Sequence, residues 1–266
     1  MDDDWFPRHP LLRPGVRVVR RDDGHQVGRW PDERVLLPRD PAAAAFLADL
    51  AAGRRPDLGA PGPRRWAAQL VERGLVVGEQ DRTRRLARDE ARVAVSAPAG
   101  WWTEEAARLL DDAGLRRTSR RELPVATLVL SPTGDLPRTA VDGWMRSGEA
   151  HLVVSQVAGR VVIGPFVAPG LTACLRCVDA HGSDRDPGHG LVLEQHGPDP
   201  AEPADPVLLR LALAWAVRDL VAYVEGDLPS TWSATTLLDG ALRPDHTRWQ
   251  RHPRCGCSWG DNLATA

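Results

Sequence analysis

The sequence predicts an α/β chain in two parts. A small winged-helix-like module covers residues 1–80, a charged linker covers 81–92, and a mainly parallel sheet with helices on both faces fills 93–266. Three observations predict it. Short β-rich runs separated by turn residues come first, helices bracketed by caps and stops follow, and from Val93 onward strands and helices alternate.

In the front part the candidate strands are Val16-Arg17-Val18-Val19, Gln26 to Trp30, and Arg34-Val35-Leu36-Leu37. Asp22-Asp23-Gly24 and Pro31-Asp32 separate them, and Asp-Gly between β-rich runs is a hairpin signal. Asp40 as N-cap, Pro41 at the first helical position and Gly53 past the end bracket a helix with Phe46, Leu47 and Leu50 on one face. A Pro/Gly-rich connection at 56–63 leads to a helix from Arg64 to Arg73, with Trp66, Leu70 and Val71 on its apolar face and Gly74 as its stop. The element order is β-β-β-α-(short α)-α. Arg82, Arg84, Arg85, Arg88 and Arg92 mark the linker.

In the rear part Val93-Ala94-Val95 is a strand, and Thr103 caps a helix striped by Ala107, Leu110 and Ala113 and stopped at Gly114. Val125 to Leu130 is a continuous apolar run, the pattern of a strand covered on both faces. Leu136 to Arg146 reads as a helix, and His151 to Val154 and Val161 to Val167 as strands joined through Ala158-Gly159. Residues 180–205, rich in His, Asp, Gly and Pro, read as a mobile crossover loop. Pro206 to Glu225 is the strongest helix. Ser233 to Leu238, Asp239-Gly240 and Ala241 to Trp249 read as a closing hairpin.

Composition excludes several function classes. A formal charge of −2 offers no bulk electrostatic case for nucleic acid. Residues 1–80 hold 13 Arg against 12 acidic residues, without the basic bias of a DNA-binding winged helix. All 34 basic residues are Arg, so a P-loop Lys, a Schiff-base Lys and a Lys general base are all excluded. Met1-Asp2-Asp3-Asp4 lacks the basic start of a secretion signal. The longest apolar stretch, Pro206 to Val224, is broken by Arg210, Arg218 and Asp219, which argues against a membrane span. A cytoplasmic protein without structural disulfides is expected.

The four Cys fall in two close pairs, Cys174-Leu175-Arg176-Cys177 and Cys255-Gly256-Cys257. Such pairs far apart in sequence suit a tetrahedral zinc site, each short loop supplying two thiolates. Four buried or redox-sensitive thiols are the plainer alternative. With four Cys ligands no coordination position stays open, so the metal would be structural. His181, Asp184, Asp186, His189 and His196 could form a metal or acid/base cluster, but without a rigid scaffold they read as a solvated loop. Ser155 and Ser233 lie in ordinary strand contexts and form no nucleophile motif.

The run from Gly164-Pro165-Phe166 through Cys174-Leu175-Arg176-Cys177, the strand-helix order, the long helix and His252-Pro253-Arg254-Cys255-Gly256-Cys257 together resemble the ThiF/E1-like family. More closely, the chain resembles the leader-binding, E1-like partner proteins of YcaO cyclodehydratases, which make thiazoles and oxazolines in ribosomal peptides. The resemblance covers essentially the whole chain. It implies that the front module is a peptide-recognition element and that the rear domain is Rossmann-type with a zinc site. The second Cys pair is C-x-C where many members of the family have C-x-x-C.

Active members of that family need a Gly-rich turn after the first strand, where backbone N–H groups approach the nucleotide phosphates. Here the turn reads Ser96-Ala97-Pro98-Ala99-Gly100-Trp101-Trp102, with one Gly, a Pro and two indoles, and the family's phosphate-site Lys has no counterpart. Glu122 stands at a plausible distance for a ribose contact, but it follows Arg120-Arg121 and reads as a surface residue. The expectation is a degenerate domain that binds no nucleotide.

The resemblance further implies that a leader peptide adds as a strand to Arg34-Val35-Leu36-Leu37, against the module's last helix, with Arg65, Gln69 and Arg73 at the rim above Trp66 and Leu70. Trp66 and Leu70 are also natural core residues. The expected role is a non-catalytic scaffold that presents a precursor peptide to a YcaO enzyme acting in trans, this chain being too short to hold one after residue 257. A homodimer is common in the family. An active adenylyltransferase acting on a peptide or carrier protein, and a winged-helix DNA-binding regulator, are the alternatives.

Overall fold

The computed structural model describes residues 5–118, 122–195 and 205–258. The chain divides into two compact units, Met1–Leu86 and Ala87–Ala266.

The first unit opens with β1 (Leu11–Leu12) and continues with β2 (Val18–Arg21), β3 (Gly24–Val27) and β4 (Val35–Pro38), an antiparallel sheet in the order β2-β3-β4. The second expected strand stops at Val27 rather than Trp30, because Gly28 turns the chain at a φ of +89°. Next come α1 (Pro41–Ala51) and α2 (Pro61–Glu72). Asp40 caps α1 as expected, its side chain accepting from the Ala43 N–H at 2.7 Å. The connection between α1 and α2 contains no short helix, a correction to the expected element order. β5 (Val76–Val77) returns to pair with β1 across more than 60 residues of chain, Leu11 opposite Val77 and Leu12 opposite Val76. Nothing local announces that pairing. Val27, Val35, Leu37, Phe46, Leu50, Trp66 and Leu70 form the unit's core. The charged segment after it is helical, as α3 (Glu79–Glu90), and the division between units falls within it.

The second unit contains β6 (Arg92–Ser96), α4 (Trp101–Asp112), β7 (Arg116–Arg117), β8 (Ala126–Ser131), α5 (Asp142–Ser147), β9 (His151–Val157), β10 (Arg160–Val167), α6 (Leu175–Arg185), α7 (His189–Gln195), α8 (Pro206–Val224), β11 (Ala234–Leu238) and β12 (Asp245–Arg248). Seven strands form one sheet in the order β12-β11-β10-β9-β8-β6-β7. The pairs β6–β7, β6–β8 and β8–β9 are parallel, while β9–β10, β10–β11 and β11–β12 are antiparallel. The sheet is therefore mixed rather than mainly parallel. Both hairpin turns, at Ala158-Gly159 and Asp239-Gly240, lack a crossover helix, and a strand joined by a tight turn must run antiparallel.

Strand alternation sorts the core into two layers. Leu128, Leu130, Leu152 and Val154 pack under α4 and α8 with Leu110, Leu209 and Leu213, whereas Val129 and Val153 pack on the other face with Val141 and Leu175. Helices thus cover both faces. Buried Asp219 on α8 accepts from the Ser230 and Thr231 N–H groups at 2.8 and 2.9 Å, tying the approach to β11 to the longest helix.

Four local expectations need correction. The helix expected to be capped by Thr103 begins at Trp101, because the Thr103 hydroxyl donates to the Pro98 carbonyl at 3.2 Å instead of accepting from the helix. The Leu136–Arg146 helix is split into a 3-10 turn, Arg138–Val141, and α5, since Pro137 disfavours helical backbone at Leu136. The supposed loop at 180–205 is helical through Arg185 and again over His189–Gln195, while residues 196–204 lie outside the described residues. Ser233 precedes β11 at a φ of +51°, where its hydroxyl accepts from the Ala173 N–H at 2.9 Å, so it is no ordinary strand residue.

Candidate metal centre and peptide edge

The strand β10 delivers the chain to a loop that starts α6. That loop is shaped by the Ala168 N–H donating to Thr172 Oγ1 at 2.8 Å and by the Ala173 bond to Ser233. Cys174 is the N-cap of α6 and Cys177 sits one turn later, so i, i+3 spacing places both sulfurs on one side of the helix start. Cys255 and Cys257 come from the turn after β12, where the Cys255 N–H donates to the His252 carbonyl at 2.9 Å.

The four sulfurs converge. Cys174 lies 3.7 Å from Cys177 and 3.6 Å from Cys255, and Cys177 lies 3.3 Å from Cys257. All four fall within 4.8 Å of one another. A tetrahedral zinc ion with Zn–S near 2.3 Å would set its sulfurs about 3.8 Å apart, so the donor set and its spacing are compatible with a bound metal ion. Three of the cysteines are buried and Cys257 is partly exposed, and none forms a disulfide. A cavity of about 380 Å³ bordered by Met145, Cys174, Cys255 and Cys257 gives an ion a path to the sulfurs.

Electrostatics favour one thiolate even without an ion. Donation from the Cys174 thiol, and then from the His252 backbone N–H at 3.3 Å, holds Cys177 down to about 4. The same bond pushes Cys174 up, and burial pushes Cys257 up to about 12. A bound dication would favour the thiolate form at all four.

A second cluster sits beside this one. His181 and Asp184 from α6 meet His252, which precedes the second Cys pair. His181 and Asp184, expected in a solvated loop, stand at i, i+3 on a helix instead. His252 Nε2 lies 2.8 Å from Asp184 Oδ2, and Arg254 pairs with the other Asp184 oxygen. Ligand atoms of His181, Asp184 and His252 lie close enough together to hold a metal ion, with His252 and Asp184 hydrogen-bonded to each other. Asp186 and His189 lie farther along, in the turn into α7, and His196 is outside the described residues.

In the first unit, no described strand pairs with the outer edge of β4. A Cβ on Gly24 would stand 2.1 Å from the Leu37 carbonyl oxygen, so that carbonyl faces β3. By strand alternation the N–H and C=O of Leu36 face the open edge. Val35 and Leu37 point into the core, and the Leu36 side chain is 47% exposed. Arg73 donates to the Arg34 carbonyl, so these two expected site residues meet at the edge. Arg65 is exposed and Gln69 half-buried on α2, while Trp66 is only 3% exposed and packs edge-on against Phe46. Trp66 belongs to the core of the unit.

The turn after β6, from Ser96 to Trp102, packs an indole against its own backbone. The Trp102 indole folds back so that its Nε1 donates to the Pro98 carbonyl at 2.9 Å, and a Cβ on Gly100 would stand 2.3 Å from that ring. Arg210 lies over the Trp101 ring at 4.5 Å. This turn flanks the gap between the carboxyl ends of β6 and β8, where strand order reverses and where open α/β sheets place ligands. Glu122 is an exposed residue within 3.5 Å of Arg92.

No protein-family model and no curated protein sequence matches this chain. Solved structures do. The heterocyclase TruD superposes with a TM-score of 0.69 at 15% identity, over 95% of this chain and 43% of its own. A heterocyclase in complex with substrate and cofactor gives 0.68 at 15%, over 94% and 39%. E. coli MccB, solved with AMPCPP and MccA, gives 0.62 at 12%, over 94% and 99%. This chain thus spans about two fifths of the heterocyclase chains it matches, 43% and 39%. At such identities the likeness is one of fold, a mixed α/β architecture. No helix among the described residues is long and apolar enough to cross a membrane.

Proposed function

We propose that this protein is a leader-peptide-binding scaffold that delivers a ribosomal precursor peptide to a separate YcaO cyclodehydratase for thiazoline or oxazoline formation. The open β4 edge carries the reading. Leu36 offers an N–H and a C=O to an added strand, Arg73 reaches the same strand at the Arg34 carbonyl, and Arg65 is exposed on α2, both guanidinium groups being suited to carboxylates. Unit Met1–Leu86 is, on this reading, a winged-helix recognition element. The contribution to catalysis is effective concentration and orientation of the peptide core. The match to heterocyclase structures over 95% and 94% of this chain supports the assignment.

On the same reading zinc is held by Cys174, Cys177, Cys255 and Cys257 as a structural ion joining α6 to the turn after β12. The domain uses no nucleotide itself, since Trp102 lies across the turn that phosphates would approach. An adenylyltransferase reading has one observation in its favour, the fold shared with MccB solved with AMPCPP. Fluorescence anisotropy with the precursor's leader tests the proposal: tight binding to the leader and weak binding to the bare core peptide support it, and equal affinities overturn it. ATP–pyrophosphate exchange by the purified protein would instead establish the second reading.

A further inference from the structure

We infer that His252 and Asp184 are positioning residues for the sulfur cluster, a protein clamp that sets the spacing of the two Cys pairs before an ion arrives. The inference rests on the cluster being a metal site. His252 is 3% exposed, and its backbone N–H donates to Cys177 Sγ at 3.3 Å. Its ring is fixed from both sides. Nδ1 accepts from the Arg254 N–H at 3.1 Å, which leaves the proton on Nε2 to be donated to Asp184 Oδ2 at 2.8 Å. Arg254 also pairs with the second Asp184 oxygen. The edge of the His181 ring meets the His252 ring at 4.8 Å and 87°, and His181 Nε2 lies 2.9 Å from the Gln250 carbonyl oxygen.

Every one of these side-chain bridges from α6 runs to the 250–254 segment. Helix α6 starts at the first Cys pair, and the 250–254 segment runs directly into the second. A metal ion closing the site therefore meets thiols whose relative placement the protein has already restricted, and less ordering entropy opposes binding. Groups just outside a metal's ligands act in this way elsewhere, with losses of about 10- to 100-fold in affinity when they are removed. Here the histidine acts through its main chain, while its ring serves as the anchor.

The test is chelator competition for zinc on the full chain, with cobalt absorption reporting the number of thiolates. Asp184 is 46% exposed at its side chain, so Asp184→Ala leaves the core untouched. It is expected to weaken zinc affinity by about 10- to 100-fold and to speed zinc release, while the cobalt bands of four thiolates persist at saturation. Arg254→Gln, at a side chain 68% exposed, is expected to give a smaller loss in the same direction. Wild-type affinity in both variants overturns the clamp while leaving the metal reading intact. Absence of zinc binding by the wild-type chain overturns both.

Discussion

Cys177 and Cys257, 80 residues apart in sequence, bring their sulfurs to 3.3 Å. That contact closes a long loop, and a metal there would bind the folded chain and not the unfolded one. Zinc near one per chain is expected by elemental analysis of the purified protein, and Cys177→Ser should abolish it. Stripping the metal should lower the melting temperature by about 10 °C, the consequence of losing roughly 4 kcal/mol in a unit of this size.

The outward N–H of Leu36 is expected to be a docking group. Leu36→Pro removes it without breaking a bond to β3, because an edge strand tolerates proline where its N–H faces away from the sheet. Leader affinity measured by anisotropy should fall at least tenfold with circular dichroism unchanged. Arg65→Glu with Arg73→Glu should weaken binding further at low salt than at high salt, since screened charge contacts are being removed.

ATP–pyrophosphate exchange should be undetectable, as should a calorimetric signal for ATP. The Trp102 indole, anchored on the Pro98 carbonyl at 2.9 Å, stands where close backbone approach is required. Exchange activity above a no-enzyme control would overturn the non-catalytic reading.

His151 is fully buried at the start of β9, and burial lowers its pKa from 6.5 against an opposing hydrogen bond with the Glu149 carbonyl. The folded state therefore prefers the neutral ring. Above about pH 6.5 both folded and unfolded chains carry it neutral and stability is complete; below that, the unfolded chain takes up the proton first and stability falls. Urea midpoints should drop between pH 7 and pH 5 in the wild type, and His151→Gln should flatten that dependence.

Much of the fold was legible locally. Asp40 capped its helix, Gly53, Gly74 and Gly114 ended theirs at positive φ, and the apolar run around Leu128 became a strand buried from Ala126 to Leu130. These features depend on backbone sterics and neighbours a few residues away, which sequence spacing records directly. The two tight turns were legible, but the expectation of a mainly parallel sheet failed because β10 and β11 also pair antiparallel although helices α6 to α8 connect them. The clamp at His252 was missed for a different reason: Asp184 and Cys177, which it bonds, lie 68 and 75 residues away.

By itself the sequence determined the two Cys pairs, the edge-strand composition around Leu36, the absence of lysine and a turn at Pro98 to Trp102 with one Gly and two indoles. Each is a matter of residue type and short-range spacing. Only the tertiary structure decided that the Cys pairs meet, that Leu36 faces an open edge while Trp66 is sealed in the core, and that Asp184 reaches His252. Those relationships depend on which buried surfaces pack together, and packing selects partners by shape and burial across the whole chain rather than by their separation along it.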